Sequence, residues 1–404
     1  MKKVIVIGGG AAGLAAAISS ARAGAAVEVL EGERQAAKKI LLTGGGKCNF
    51  TNLDIDADYY NGACRELVSS VFKRFSPYDA ISFFESIGVY PLIRDGYVYP
   101  RSEKASQVRN ALLKECERLP VTIRNNTPVK AAYKESERFF AVTEGYTYSA
   151  DALIIAAGGL AQTQLSGSGY DIAKTFGHSV TTLKSGLCGI RFCDVLNSCA
   201  GLRTTARLSY TDGEACFECE GEIQLTAYGI SGIPAMNLSN VIAEKESLSG
   251  KEMLVLDFVP EMSEEEFNGL MYDVMDLLSF FDPSLAKIFD INDSKKHPKH
   301  YSVNISGLKG FADSQVTNGG VCTDEVGKNM ESRLINGLFF AGEILNVAGL
   351  CGGYNLHFAW ASGVLAGCAA AGKEFTCAGD SGDIERWKKQ QTKSRREYGI
   401  LIKK

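Results

Sequence analysis

The chain has 404 residues, of which 45% are hydrophobic and 22% are charged, and its formal net charge at pH 7 is −4. This length predicts two or three domains with a sizeable core, and the acidic balance argues against a nucleic-acid partner. No apolar run approaches the roughly 20 residues that span a bilayer, and the N-terminus lacks a signal-peptide pattern, so we expect no membrane partner and a cytoplasmic location.

The twelve cysteines are scattered along the chain, which is typical of reduced thiols in a reducing compartment. The only Cys-x-x-Cys is Cys216 to Cys219, and no second pair or histidine lies nearby at metal-ligand spacing. We therefore predict strand residues at this position and no metal site.

The first motif is a strand, a glycine turn and a helix. Lys3–Ile7 reads as a buried parallel strand, and a helix-compatible, alanine-rich segment extends over Leu14–Ala23. Between them, Gly8 suits a tight turn, Gly10 allows the backbone to approach a pyrophosphate, and Gly13 allows the helix to pack closely on the strand. The N-terminus of such a helix presents free N–H groups to phosphates.

A second strand, Ala26–Leu30, ends at the acid Glu31. An acid at this spacing accepts hydrogen bonds from the adenosine ribose hydroxyls of a dinucleotide. The alternative is a βα turn without ligand in which Glu31 is merely solvated. The complete order of strand, turn, helix, strand and acid favours dinucleotide binding, but it does not distinguish NAD from FAD.

Two later segments bear on that choice. The strand Ala152–Ala157 runs into Gly158-Gly159, which suits backbone passing close to a dinucleotide. Near the C-terminus, the strand Leu338–Ala341 is followed by Gly342-Glu343 and then by an alanine-rich helix. A late helix whose N-terminus faces the flavin would stabilise the anionic reduced ring through its dipole, which favours FAD.

The segment Leu42–Asn52 is too rich in glycine and polar residues to be a core element. Its consecutive glycines would let backbone amides approach a ligand, and Asn49, Thr51 and Asn52 offer side-chain hydrogen bonds. A plain surface loop is the alternative.

The middle of the chain changes to short alternating strands, which indicate an antiparallel sheet or barrel. These are Leu187–Cys193, Thr204–Tyr210 and Ala215–Glu220, with a hairpin turn at Asp212-Gly213. A capping box at Ser263 and Glu266 then predicts a helical insert that extends to about His300.

Together these motifs resemble the family of flavoproteins that includes aminoacetone oxidases and bile-acid 3-oxo-steroid reductases. The resemblance covers nearly the whole chain. It rests on Gly8–Gly13, Gly44–Asn52 with Lys47 in the place of an arginine, Tyr228–Pro234, Val316–Val321, Gly342-Glu343 and Gly352–Asn355. Three positions depart from the family pattern: Asn346 replaces an acid, His357 replaces a glutamine, and Ala227 replaces a histidine.

The resemblance implies an α/β fold in which a Rossmann-like FAD-binding domain, with βαβ units and a parallel sheet, is interrupted by an antiparallel β-barrel. The expected boundaries are residues 1–185 for the first part of the FAD domain, 186–260 and 301–325 for the barrel, 261–300 for the helical insert, and 326–404 for the return to the FAD domain.

The resemblance also implies residues that line FAD. These are Gly10, Gly13, Glu31, Gly46, Cys48, Asn49, Gly342, Glu343, Gly353, Tyr354, Asn355 and Leu356. To them we add, as further predicted FAD-binding residues, Gly8, Ala12, Lys39, Thr43, Gly45, Lys47, Val129, Ala157 and Gly158.

No catalytic residue is assigned by the sequence. Tyr354, His357 and Cys48 are the candidates, although His357 could equally be a packed, satisfied histidine and Cys48 a small apolar contact. The remaining histidines, His178, His297 and His300, are predicted to be helix-end or surface residues.

Three functions follow as hypotheses. The first is an NAD(P)H-linked reductase of a small or steroid-like conjugated acceptor; the second is a flavin amine oxidase that releases peroxide; the third is a non-catalytic FAD-binding protein. A second glycine-rich segment, Gly167–Ala173, starts too far from its preceding strand to be a dedicated NAD(P) motif. NADH or NADPH would then visit the flavin transiently, and the small-molecule substrate and the oligomeric state stay open.

Overall fold

The computed structural model describes residues 1–163, 168–194, 196–213, 215–245, 251–271, 274–376 and 401–403. These residues form two compact units. The first unit contains Met1–Leu183 and continues from Thr317 to residue 376; the second contains Lys184–Val316 and Leu401–Lys403. The finer domain boundaries expected from the sequence stay a prediction.

The helices, in chain order, are α1 (Ala11–Arg22), α2 (Arg65–Phe72), α3 (Pro77–Ser86), α4 (Ala105–Arg118), α5 (Ser168–Thr175), α6 (Ile233–Glu244), α7 (Glu264–Leu270), α8 (Val274–Phe280), α9 (Pro283–Ala286) and α10 (Tyr354–Ala370). The strands are β1 (Lys3–Ile7), β2 (Ala26–Leu30), β3 (Thr51–Asn52), β4 (Pro91–Arg94), β5 (Tyr97–Pro100), β6 (Val121–Arg124), β7 (Ala131–Glu135), β8 (Arg138–Val142), β9 (Thr147–Ala150), β10 (Ala152–Ile155), β11 (Lys184–Gly186), β12 (Ile190–Phe192), β13 (Arg203–Asp212), β14 (Ala215–Thr226), β15 (Gly229–Gly232), β16 (Met253–Asp257), β17 (Tyr301–Leu308), β18 (Val316–Asn318), β19 (Leu338–Phe340) and β20 (Leu401–Lys403).

A parallel sheet forms the centre of the first unit. Within the described residues its strand order is β19-β10-β1-β2-β6. The predicted strands at β1 and β2 are confirmed with the same limits, and those at β10 and β19 are slightly shorter than predicted. These strands are rich in buried Val, Ile, Leu and Phe because other elements pack on the sheet: helices α1 and α10, and the three-stranded sheet β7-β8-β9.

Helix α1 begins at Ala11, three residues before the predicted start, and packs closely against α10. Glycines make this approach possible, because a Cβ atom on Gly363 would lie 2.4 Å from the carbonyl oxygen of Ala12. One on Gly367 would lie 2.3 Å from that of Ala16. The hydroxyl of Ser20 donates to the Gly367 carbonyl at 2.9 Å, so α10 and α1 form one buried support for the glycine turn.

The second unit is an antiparallel barrel, as predicted. Among its described residues, six strands pair in the order β13-β16-β17-β12-β15-β14, and β14 pairs with β13 to close the cylinder. Strand β20 pairs with residues Cys216–Glu218 of β14 in antiparallel orientation. Cys216 and Cys219 lie in β14, as predicted for strand residues.

Two local predictions in this unit also have an outcome. Asp212 pairs with Ala215, so the predicted hairpin has a two-residue loop whose second residue, 214, lies outside the described part of the chain. The capping box of α7 is confirmed, because Ser263 and Glu266 each accept a backbone N–H of the other. The predicted helical segment is divided into α7, α8 and α9.

Candidate functional site: the carboxyl edge of the parallel sheet

The predicted cofactor residues of the first unit converge at one edge of the parallel sheet. Gly8 directly follows β1 and Glu31 directly follows β2, while Ala157 and Gly342 are the second residues after β10 and β19, respectively. Because all these strands are parallel, their carboxyl ends meet at the same edge. The strand order reverses beside β1, and ligands of open α/β sheets bind at such a switch point.

The three glycines of the opening turn have three different geometries. Gly8 has φ +98°, and a Cβ atom there would lie 2.4 Å from the Ala156 carbonyl oxygen. A Cβ atom on Gly13 would lie 1.9 Å from the Gly8 carbonyl oxygen, so the helix sits directly on the turn. Gly10 has an ordinary φ of −78°, and a Cβ atom there would have no neighbour within 4 Å. Open space thus faces the start of α1.

Glu31 is buried, with 7% of its surface exposed. One carboxylate oxygen accepts the Gly9 N–H at 2.6 Å and the other accepts the Glu33 N–H at 2.7 Å. Burial raises the pKa of this carboxyl, while the backbone N–H groups oppose that shift. Each oxygen can accept a further hydrogen bond, so the group can hold the turn and still bind ligand hydroxyls.

The glycine-rich loop after α1 and β2 has an unusual backbone. Gly44, Gly45 and Gly46 all have positive φ, and so does Cys48 at +59°. The N–H of Cys48 donates to the Thr43 carbonyl at 3.1 Å, which closes the loop on itself. The Thr43 hydroxyl also stabilises the loop from within, since it donates to the Ile40 carbonyl.

The end of this loop is fixed from inside. Asn49 is buried, and its side-chain oxygen accepts the N–H of Val98 in β5 at 3.2 Å. A Cβ atom on Gly353 would lie 2.9 Å from the carbonyl group of Thr51 and 3.0 Å from the Asn49 side-chain oxygen. Gly353, at φ +92°, therefore brings the start of α10 against this loop.

Lys39 and Glu343 lie 304 residues apart in sequence but form an ion pair of 2.8 Å. The second carboxylate oxygen of Glu343 accepts the N–H of Thr317 at 2.8 Å. This pair joins the loop after β2 to the segment after β19. Lys47 is held differently, because Glu103 binds its ammonium group at 3.4 Å and also binds Arg94.

The remaining predicted cofactor residues line the same region or support it. Gly158 has φ +71° and open space where a Cβ atom would lie, whereas a Cβ atom on Gly342 would lie 2.7 Å from that of Ala12. Val129 is buried in the loop after β6. The same loop is joined to Glu31, because the Thr127 N–H donates to the Glu31 carbonyl. Helix α5 contains most of the glycine-rich segment Gly167–Ala173. It packs on Ala157 through Gly169, and Gly167 lies outside the described residues.

Two polar residues predicted to bind the cofactor at the start of α10, Asn355 and Tyr354, differ in their surroundings. The Asn355 side chain is fully engaged, since it accepts the Gly349 N–H and donates to the Gly349 and Leu350 carbonyls. Tyr354 is only partly buried. Leu356, the next predicted residue, is also partly buried.

Cys48 has no exposed surface, and burial raises the pKa of its thiol to about 12. At neutral pH it is a protonated, apolar contact.

We expect Cys48→Ala to keep flavin content and turnover within about threefold of the parent, and to lower the free energy of unfolding by about 1 kcal/mol through loss of packing. Thiol alkylation checks the cause, with the exposed Cys193 as internal control. Cys193 should be labelled in the native protein and Cys48 only after unfolding; rapid native labelling of Cys48 would contradict this assignment.

His357 is completely buried and both ring nitrogens have partners. Nδ1 accepts the Thr51 hydroxyl at 2.8 Å, and Nε2 donates to the Phe75 carbonyl at 3.3 Å. Burial lowers its pKa from 6.5 to about 3, so the ring is neutral and braces α10 against β3.

This histidine makes stability depend on pH. Between pH 6.5 and 3 the unfolded chain binds a proton at His357 that the folded chain does not, so stability falls as pH falls. From pH 7 to pH 5 the loss attributable to His357 is about 2 kcal/mol. Urea unfolding of His357→Gln should show a decrease smaller by that amount. An equal decrease in both proteins would show that His357 is protonated in the fold.

Two of the histidines predicted at helix ends or on the surface are buried instead. His178 is 3% exposed and His297 is 7% exposed. His178 contacts Glu325 through Nδ1 at 2.9 Å and Ser332 through Nε2 at 2.8 Å. The serine oxygen already accepts the N–H groups of Leu334 and Ile335, and the imidazole has no exposed surface. The hydrogen bonds among His178, Glu325 and Ser332 therefore stabilise the loop that contains Ser332. The local sequence does not indicate this arrangement.

Within the described residues, no helix has the length and apolar character needed to cross a bilayer. No cluster of metal-ligating side chains occurs in that part of the chain either.

The parallel sheet, the glycine turn and the acid after β2 define a Rossmann-type dinucleotide-binding domain. The similarity to known proteins identifies the chain as an FAD-dependent oxidoreductase. The family model "HI0933-like protein Rossmann domain" matches residues 2–369, so the chain belongs to that family.

Two relatives are similar over most of their length. The 3-dehydro-bile acid delta(4,6)-reductase of Clostridium scindens is 37% identical over 92% of this chain and 99% of its own. The ribosomal RNA dihydrouridine synthase of Escherichia coli is 28% identical over 89% and 95%, respectively.

Solved structures share the fold at low identity. A flavocytochrome c3 fumarate reductase in its open conformation has a TM-score of 0.51 at 16% identity, covering 92% of this chain and 78% of that one. The 3-ketosteroid delta1-dehydrogenase of Sterolibacterium denitrificans has a TM-score of 0.50 at 12% identity, covering 92% and 100%.

Proposed function

We propose that this protein is an NAD(P)H-linked reductase that saturates a carbon–carbon double bond conjugated to a carbonyl group. The observation that carries the proposal is the convergence of open glycine backbone and a buried acid at the carboxyl edge of the parallel sheet. That arrangement fits an FAD molecule, which supplies the hydride when it is bound.

The residues present suit each part of FAD. Open space at Gly10, beside the N–H groups that begin α1, would accommodate the pyrophosphate. The buried Glu31 carboxylate would accept hydrogen bonds from the adenosine ribose. Gly158 offers backbone without a side chain, and Glu343, oriented by Lys39, offers a fixed carboxylate. The other residues of the predicted set shape these surfaces or hold them in place.

The relatives support the reaction type, because their names describe the same chemistry on different molecules. A delta(4,6)-reductase of a 3-oxo bile acid saturates a double bond conjugated to a ketone. A dihydrouridine synthase saturates the uracil double bond, which is conjugated to a ring carbonyl. A carbon–carbon double bond conjugated to a carbonyl group accepts hydride at the carbon remote from that group.

A small, apolar acceptor fits this chain better than RNA does. The bile-acid reductase is the more similar of the two relatives, at 37% against 28% identity. The net charge of −4 would also repel the phosphates of a polynucleotide.

Anaerobic spectroscopy tests the proposal. NADH or NADPH should bleach the flavin absorbance of the holoenzyme, and a 3-oxo-Δ4 steroid or a cyclic enone should restore it. A uridine-containing ribosomal RNA fragment, added in parallel, should not. Bleaching by neither nucleotide, together with peroxide released from an amine in a separate assay with oxygen, would identify an amine oxidase instead. A flavin that no reductant reduces would leave a non-catalytic FAD-binding protein.

A further inference from the structure

The reduction of a conjugated carbonyl compound needs a proton as well as a hydride. At the start of α10, where the sequence predicts the flavin, few side chains can donate a proton. The His357 ring is neutral and its N–H is held by a buried carbonyl, and the Cys48 thiol has no exposed surface. The Asn355 amide is engaged with the backbone of the preceding loop. Tyr354 differs from His357 and Cys48 because it is partly exposed, and from Asn355 because its hydroxyl group can give up a proton.

The Tyr354 ring is held in place by its neighbours. The Tyr59 ring packs against it with 5.1 Å between centroids, and the Tyr60 hydroxyl donates to the Tyr354 carbonyl at 2.7 Å. A Cβ atom on Gly352 would lie 2.7 Å from the Tyr354 ring, so only glycine leaves room for this orientation. The ring is therefore fixed beside Gly353, which caps α10.

Among the described residues, the Tyr354 hydroxyl group has a hydrogen-bond donor but no acceptor. Its oxygen accepts an N–H from the Asn52 side chain at 3.4 Å, and Asn52 is itself anchored by donating to the Gly352 carbonyl. In the part of the chain that the structure describes, no group accepts the phenol hydrogen. Burial and nearby Tyr97, Tyr59 and Asp54 raise the pKa of Tyr354 above its ordinary value. The phenol thus stays protonated, with its hydrogen available to a ligand.

We propose that the Tyr354 phenol donates a hydrogen bond and then its proton to the carbonyl oxygen of the substrate. This inference rests on the proposed function. The β carbon of the substrate gains the hydride, the double-bond electrons shift towards the carbonyl, and the oxygen takes the proton to give an enol. The O–H electron pair stays on Tyr354, where the Asn52 N–H stabilises it, and water restores the proton. The two electrons derive from NAD(P)H, and the enol converts to the ketone in solution.

The test compares Tyr354→Phe with Tyr59→Phe, which removes the neighbouring phenol that bonds Asp54. Binding to the oxidised holoenzyme is measured by calorimetry for a saturated 3-oxo steroid and for its 3-deoxy analogue. The parent and Tyr59→Phe should prefer the ketone by about 10-fold, the worth of one hydrogen bond, and Tyr354→Phe should lose the preference.

Rapid mixing provides the second measurement. Tyr354→Phe should be reduced by NAD(P)H at the parental rate but reoxidised by the enone about 100-fold more slowly. Parental ketone preference and reoxidation in Tyr354→Phe would overturn the assignment. If the parent itself is not reoxidised by any enone, the proposed function fails, whereas the ketone preference still decides whether Tyr354 donates to a carbonyl.

Discussion

Gly10→Val should strongly weaken FAD binding without unfolding the protein. Gly10 has an ordinary φ of −78°, and a Cβ atom added there would have no neighbour within 4 Å, so valine costs the empty fold little. The same open space is where we place the pyrophosphate, and a branched side chain there would displace it. We expect FAD affinity to fall at least about 100-fold, equivalent to about 2.7 kcal/mol.

Fluorescence titration of the apoprotein with FAD measures this loss, and thermal unfolding of the apoprotein measures the fold. Gly145→Val is the matched control, because Gly145 also has open surroundings but lies in the turn between β8 and β9. It should leave both quantities unchanged. Gly13→Ala should unfold the first unit, since its Cβ would lie 1.9 Å from the Gly8 carbonyl oxygen. Parental FAD affinity in Gly10→Val would place the pyrophosphate elsewhere.

Glu31→Gln should weaken FAD binding about 30-fold, or about 2 kcal/mol, the worth of a hydrogen bond to a charged group. Both carboxylate oxygens face backbone N–H donors, at Gly9 and Glu33. An amide has one oxygen, so in either orientation its NH2 group faces an N–H and one bond to the turn is lost. The charge that would bind the ribose hydroxyls is lost as well.

The pH dependence of FAD affinity separates these effects. Burial raises the pKa of the Glu31 carboxyl, so protonation removes its charge at a higher pH than in an exposed acid. The FAD affinity of the parent should therefore fall as pH is lowered through that pKa. Glu31→Gln should be weak at neutral pH and should lack this component. Parallel pH profiles in the two proteins would show that Glu31 does not contact the cofactor in its ionised form.

Local patterns were sufficient to predict the strands, turn and helix of the dinucleotide-binding motif. The β1 and β2 limits follow from short runs of buried branched residues, and the turn between β1 and α1 follows from glycine spacing. Such features depend on neighbours in sequence, which is why they are readable. The strand pattern alone indicated an antiparallel sheet or barrel, and the barrel was expected only from the family resemblance. Closure requires β13 and β14 to pair while four further strands complete the circle.

The chemistry of individual side chains was not readable in the same way. The sequence left His357 open as a proton donor or a packed residue, and only its contacts with Thr51 and Phe75, 306 and 282 residues away, show a neutral brace. His178 was expected at a helix end or on the surface; it lies just after the end of α5 but is buried against Glu325 and Ser332. Protonation and accessibility depend on partners that the fold brings together from distant segments.

The sequence by itself determined a dinucleotide-binding βαβ unit, because glycine at three spaced positions and an acid after the next strand are local requirements of that turn. The tertiary structure decided how those residues are used. In the folded chain, Gly10 faces open space, both carboxylate oxygens of Glu31 accept backbone N–H groups, and Lys39 forms an ion pair with Glu343. The physical reason is that burial and hydrogen bonding are set by whichever groups meet in space, and the chain order does not specify them.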